Sequence, residues 1–138
     1  MTNHAAAKEV LAYARSVLLS EMLRARGTGI HARVVRLAQE TTELVLKAGI
    51  RQLGADYPKV HDPAAAFVTV ALAAGATLST AEIRRLLEDS KWLADQRGAA
   101  GYLERPFDES EATRAADSAA WTLTLVEERV FGPGRPAS

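Results

Sequence analysis

The feature that most constrains this chain is the stretch from Val34 to Asp62, VVRLAQETTELVLKAGIRQLGADYPKVHD. It reads as one long helix, a glycine stop and a short Pro-Lys-x-His-Asp loop. At roughly 100° per residue, Ile30, Val34, Leu37, Thr41, Leu44 and Ala48 fall on one line, with spacings of four, three, four, three and four. That is the seam of a helix packed along a neighbour. A second face carries Val35, Thr42, Leu46, Ile50 and Leu53, with Gln39 among them. Between the two runs a charged stripe of Arg33, Arg36, Glu40, Glu43, Lys47 and Arg51. A helix apolar on two sides and wet on one is interior to a bundle or shared with a partner. Arg36–Glu40 and Glu43–Lys47 are expected i,i+4 pairs, each worth roughly 0.2–0.5 kcal/mol when exposed.

The rest of the chain supplies more helices and no strand. Ala5 to about Arg26 is expected as a first helix, with Val10, Ala14, Val17, Leu18, Met22 and Ala25 inward and Lys8, Arg15 and Arg24 outward. Gly27 and Gly29 break it, and Thr28 is placed to cap the central helix, which runs to about Leu53 before Gly54. Asp62-Pro63 reads as an N-cap acid followed by proline at the first helical position. It opens the short apolar helix AAAFVTVALAAG, ended by Gly75. Ser79 and Glu82 form a capping box for a helix whose buried face is Ile83, Leu86, Leu87, Ser90, Leu93 and Ala94, with Gly98 as its end. Residues 98–106 are expected as a loop. Asp108 and Glu111 make a second capping box for a last helix to about Phe131, inward at Ala112, Ala115, Ala116, Ala119, Leu123, Val126 and Val130. Trp121 and Leu125 lie off that stripe, towards a second surface. The expected fold is all-α: an antiparallel four-helix up-and-down bundle with one additional short helix, a single domain over 1–131 and a disordered tail over 132–138.

Bulk properties narrow the function. Lys plus Arg and Asp plus Glu number 17 each, so no global charge draws the chain to nucleic acid or anionic membrane. The absence of cysteine excludes disulfides, thiolate catalysis and cysteine metal sites. No apolar run approaches the roughly 20 residues of a membrane span, and the N-terminus has no signal-peptide pattern; a soluble, cytoplasmic protein is expected. There is no G-x-S-x-G elbow and no phosphate loop after a strand. The three histidines, His4, His31 and His61, stand in no metal-binding pair. Glu40 and Glu43 lack the Glu-x-x-His partner of di-iron bundles, so neither metal nor cofactor is expected. His61, beside Asp62 at a helix start, is the ionisable group best placed to act as an acid, a base or a phosphate donor; its alternative role is to bond loop backbone and fix the entry to the short helix.

Ala38-Gln39-Glu40, Glu43, Leu46-Lys47-Ala48, the leucine-glycine stop and Pro58-Lys59-Val60-His61-Asp62 together resemble the core signature of the HEPN domain family (higher eukaryotes and prokaryotes nucleotide-binding). Arg97-Gly98-Ala99-Ala100-Gly101-Tyr102 resembles the arginine–tyrosine segment that many members carry before the last helix. The resemblance implies an all-α bundle that dimerises, often pairs with a small nucleotidyltransferase in toxin–antitoxin systems, and in some members cleaves RNA without metal. That cleavage uses an arginine followed after four to six residues by a histidine. Here no histidine follows Arg97, nine residues separate Arg51 from His61, and Arg26–His31 lies across a helix turn elsewhere. The expectation is therefore a non-catalytic homodimeric module that binds a nucleotide, RNA or a nucleotidyltransferase. Its expected contacts are Arg36, Glu40, Glu43, Lys47, His61, Asp62, Arg97 and Tyr102. The alternatives are a degenerate ribonuclease using His61 with Arg51 or Arg97, and a purely structural dimer.

Overall fold

A computed structural model describes residues 3–132. Among them there is no strand, and the helices are α1 (Asn3–Tyr13), α2 (Leu19–Gly27), α3 (His31–Gln52), α4 (Ala64–Ala73), α5 (Thr80–Gly101) and α6 (Glu109–Val126). A π-helical turn, Ala14–Leu18, joins α1 to α2 without a break, and a second, Glu127–Phe131, extends α6. Residues 133–138 of the expected tail lie outside the described part. No helix among the described residues is long and apolar enough to cross a membrane.

The architecture follows from α3. Val34, Val35, Leu37, Ala38, Val45, Leu46 and Ile50 are all buried, so both of its apolar faces are covered within one chain; Ile30, expected at the head of the first seam, is instead the exposed residue before the helix. It packs against α1, α2, α4, α5 and α6. His4 meets Gln52, and Glu21 meets Arg33, so the first helical pair runs antiparallel to α3. Complete burial of a Leu or Ile side chain is worth roughly 1.5–3 kcal/mol, and α3 alone contributes several such residues.

The close approach of α4 and α6 to α3 depends on Gly49. A Cβ there would stand 2.7 Å from Cε1 of Phe67 and 3.2 Å from Cγ1 of Val126. Phe67 is fully buried and its ring has nowhere to retreat. The outer faces of α5 and α6 are joined by two reciprocal stacks: Arg85 over Trp121 at 4.2 Å, and Arg114 over Trp92 at 4.0 Å. An arginine and a tryptophan seven residues apart on each helix can pair this way only if the helices are antiparallel. Each such stack is worth roughly 0.5–1 kcal/mol at an exposed site.

Both capping boxes form as expected, Ser79 with Glu82 and Asp108 with Glu111. Each glutamate is also gripped by an arginine: Arg129 bonds Glu82 at 2.8 and 2.9 Å and the Thr77 carbonyl at 2.7 Å, while Arg105 bonds Glu111 at 2.7 and 3.3 Å. The sequence α6 stripe from Ala112 to Val130 is buried throughout.

Several local expectations are corrected. Gly98 does not end α5, because Ala99 and Ala100 continue the helix to Gly101 and Ala100 is buried against the core. Thr28 does not cap α3; its hydroxyl donates to the carbonyls of Arg24 and Ala25 and closes α2 instead, while Gly29 makes the turn at φ +73°. Asp62 does not cap α4. That helix starts at Ala64 with Pro63 at its N-cap, and the Asp62 carboxylate accepts the Ser90 hydroxyl at 2.5 Å. Val17 is exposed, because the π turn adds a residue and leaves Leu18 on the seam. Leu87 is likewise exposed, Leu125 is buried, and Arg85 covers Trp121.

Gly49→Ala gains roughly 1 kcal/mol of helix propensity but overpacks a full core, which costs roughly 1–3 kcal/mol. Thermal unfolding of this variant is expected to show a net loss of stability, and a raised Tm would refute the close-approach argument.

Candidate functional site

The charged stripe of α3 faces a cleft of about 310 Å³ closed on its other side by the C-terminal end of α5 and the loop before α4. Its lining is Arg36, Gln39, Glu40, Glu43, Leu44, His61, Arg97, Gly101 and Tyr102. Helical spacing explains the α3 wall: Arg36, Glu40, Glu43 and Leu44 recur at three and four residues and so share a face. The continuation of α5 past Gly98 explains the other wall. Arg97 and Gly101 lie one helical turn apart, and Tyr102 caps the helix with its side chain largely in solvent, residue exposure being 79%.

Glu43 is the hub. Its Oε2 accepts from Lys47 Nζ at 2.8 Å, and its Oε1 accepts from Gln39 Nε2 at 2.8 Å and faces His61 Nδ1 at 2.9 Å. Burial pushes the carboxyl pKa up, but the hydrogen bonds from Lys47, Gln39 and His61, with the Lys47 charge, outweigh it; the net shift is downward. A carboxylate accepts only, so in this contact His61 Nδ1 is the donor, and Nε2 is the ring nitrogen left unengaged. This is a carboxylate–imidazole dyad, with the ring half in solvent.

The eight residues expected from the sequence divide in two. Arg36, Glu40, Glu43, His61, Arg97 and Tyr102 line one cleft. Lys47 and Asp62 do not: Lys47 is spent on Glu43 and lies over the Tyr57 ring at 5.2 Å, and Asp62 is spent on Ser90. Arg51 likewise lies over Tyr57, at 5.9 Å, whereas Arg97 shares the cleft with His61. The expected Arg36–Glu40 pair is absent. Among the described residues neither side chain has an ion-pair partner within 4.0 Å, consistent with the small gain and the entropy cost of an exposed pair. Arg97 also has no partner there.

Gln39 is the functional candidate that sequence reasoning passed over. It was placed on an apolar face, and it is 4% exposed, yet it lines the cleft. An amide interrupting an apolar run one turn before Glu43 was the available signal. No group of three or more His, Asp or Glu residues among those described could hold a metal ion.

A sharp test of the hub is the pH dependence of stability. Because the folded carboxyl pKa of Glu43 is depressed, its contribution is present above the ordinary carboxylate range and is lost as pH falls through the depressed value. Glu43→Gln is expected to cost roughly 1–3 kcal/mol at neutral pH, since Lys47 loses its charged acceptor. In urea titrations that gap should shrink from pH about 6 to about 3; a gap independent of pH would refute the assignment.

Among families of known proteins, the family model described as HEPN domain matches residues 7–129. No curated protein and no solved structure matches the chain.

Proposed function

The chain belongs to the HEPN domain family, and we propose that its cleft binds the phosphate of a nucleotide, free or within RNA. The observation that carries this reading is a pair of arginines without partners among the described residues, Arg36 on α3 and Arg97 on α5, on opposite walls of one cleft. Several other arginines are engaged, Arg15 forking onto Glu127, Arg105 gripping Glu111 and Arg129 gripping Glu82; Arg24 and Arg84 are also without partners among the described residues, but neither lines this cleft. A planar guanidinium presents donors in the geometry of a phosphate, and two from different helices can take one anion from both sides. The scaffold that sets this spacing reads as four long helices in up-and-down order. Tyr102 offers a ring face for base stacking at the mouth.

The expected tests are direct. Titration of the protein with a mononucleotide and with its unphosphorylated nucleoside should show a clear preference for the phosphate, weakening as salt is raised. Arg36→Ala and Arg97→Ala should each lower that affinity about tenfold, a loss of roughly 1.4 kcal/mol, while leaving the circular dichroism spectrum unchanged. Equal binding of nucleotide and nucleoside would overturn the proposal.

A second reading has one specific observation in its favour, the Glu43–His61 dyad beside Arg97. A histidine oriented by a carboxylate can take a proton from a ribose hydroxyl, and an arginine can neutralise charge on the phosphate. The family's Arg-x4-6-His spacing occurs here only across the turn before α3, at Arg26–His31, but His61 comes from another loop into the cleft of Arg97. This reading requires RNA cleavage in EDTA that His61→Ala abolishes; intact RNA after prolonged incubation with the native protein would end it.

A homodimer and a nucleotidyltransferase partner, with the toxin–antitoxin setting they suggest, are proposals of the same kind. Because α3 covers both of its apolar faces internally, such contacts would fall on surfaces carrying exposed Leu23, Ile30 or Leu103.

A further inference from the structure

Phosphate binding leaves two cleft groups without a task. Glu40 is an exposed carboxylate with no partner among the described residues, standing in a cleft whose arginines would hold an anion. A second anion so placed opposes phosphate binding unless the ligand also brings hydrogen-bond donors. Gln39 adds an independent sign. Its residue exposure is 4%, and its NH2 end must face the acceptor-only Glu43, so its carbonyl oxygen is the end left over. That oxygen accepts from no donor among the described residues, and the side chain lines the cleft. That oxygen is not sealed from solvent, so the cleft presents two neighbouring acceptors, one carboxylate and one amide carbonyl, that a ligand's donors can reach.

We propose that Gln39 and Glu40 read the base of the bound nucleotide and select guanine. The inference rests on the phosphate-binding reading above. Guanine is the one common base whose Watson–Crick edge offers two adjacent donors, N1–H and the N2 amino group, which match the two oxygens of a carboxylate. The remaining N2 hydrogen can serve the Gln39 carbonyl. Adenine sets the N1 lone pair against Glu40. Uracil sets carbonyls on both sides of its one N–H, and cytosine sets N3 beside its amino group. A site built to hydrogen-bond donors rejects analogues lacking them, because its own acceptors are then left unpaired. Arg36 and Arg97 hold the phosphate, Tyr102 covers the base, and selectivity resides in the acceptors of α3.

Calorimetric titration with GMP, IMP, AMP and UMP tests this. GMP is expected to bind at least tenfold more tightly than AMP, with IMP between them because it keeps N1–H and lacks the amino group. Glu40→Gln, at an exposed position with no partner to lose, should bring GMP to the level of AMP. Arg97→Ala should weaken both alike. The RNA pentamers UUGUU and UUAUU identify the source of the guanine: a pentamer preference exceeding that of GMP points to RNA, and the reverse to the free nucleotide, with selectivity for G expected in either case. Equal affinity for GMP and AMP, still lowered by Arg97→Ala, would overturn base selection and leave phosphate binding standing. A GMP preference that survives Glu40→Gln would overturn the role of Glu40. Failure of every probe to bind would overturn both proposals.

Discussion

A carboxylate half-sunk in a helix that is packed on two sides has to find donors, and Glu43 is that carboxylate. Its side chain is 16% exposed. An ionised group at that depth is tolerated only when hydrogen-bonded. The donors it collects organise the region: Lys47 from the next turn, Gln39 from the previous turn and His61 from the loop that leads to α4. The last of these is a long-range contact. It ties a segment without regular structure to the spine of the fold, and Asp62–Ser90 fastens the neighbouring residue to α5. Between them the two bonds place the loop over the charged stripe and so create one end of the cleft.

The cleft separates engaged charges from unengaged ones. Lys47, Glu43 and Asp62 serve one another or the scaffold, and removing any of them strikes stability before it strikes binding. Arg36, Glu40 and Arg97 serve nothing within the described chain. These free charges are the ones on which the proposed binding rests. His61 belongs to both groups, because one ring nitrogen is committed to Glu43 and the other is not.

Much of this was legible in the residues. The two seams of α3, the glycines at φ +85° and +88° after α3 and α4, and both capping boxes are local patterns whose physics is complete within a few residues. Six candidate site residues could be named because helical spacing and a family-like motif group them. The misreadings have separate causes. Gly98 reads as a stop, and Thr28 and Asp62 as N-caps; the packing of the next residues overrides the first, the carbonyls of the preceding turn take the Thr28 hydroxyl, and Ser90, distant in sequence, takes Asp62. Gln39 passed for a core residue since its amide is buried, and its role appears only once Glu43 is seen to need a donor. Gly49 is silent as a letter and decisive as a contact with Phe67 and Val126.

The sequence by itself determined that the chain is helical, where most helices begin and end, and which faces are apolar, because periodicity and capping act over one or two turns. It also carried the motifs that point to the HEPN family. Only the tertiary structure decided that His61 and Arg97, 36 residues apart, share a cleft and that Lys47 and Asp62 do not line it. Which charges are spent and which are free depends on partners brought together by packing, and no local pattern encodes that choice. The stretch from Val34 to Asp62 holds most of the candidate site residues; the fold determined which of them face the same cleft.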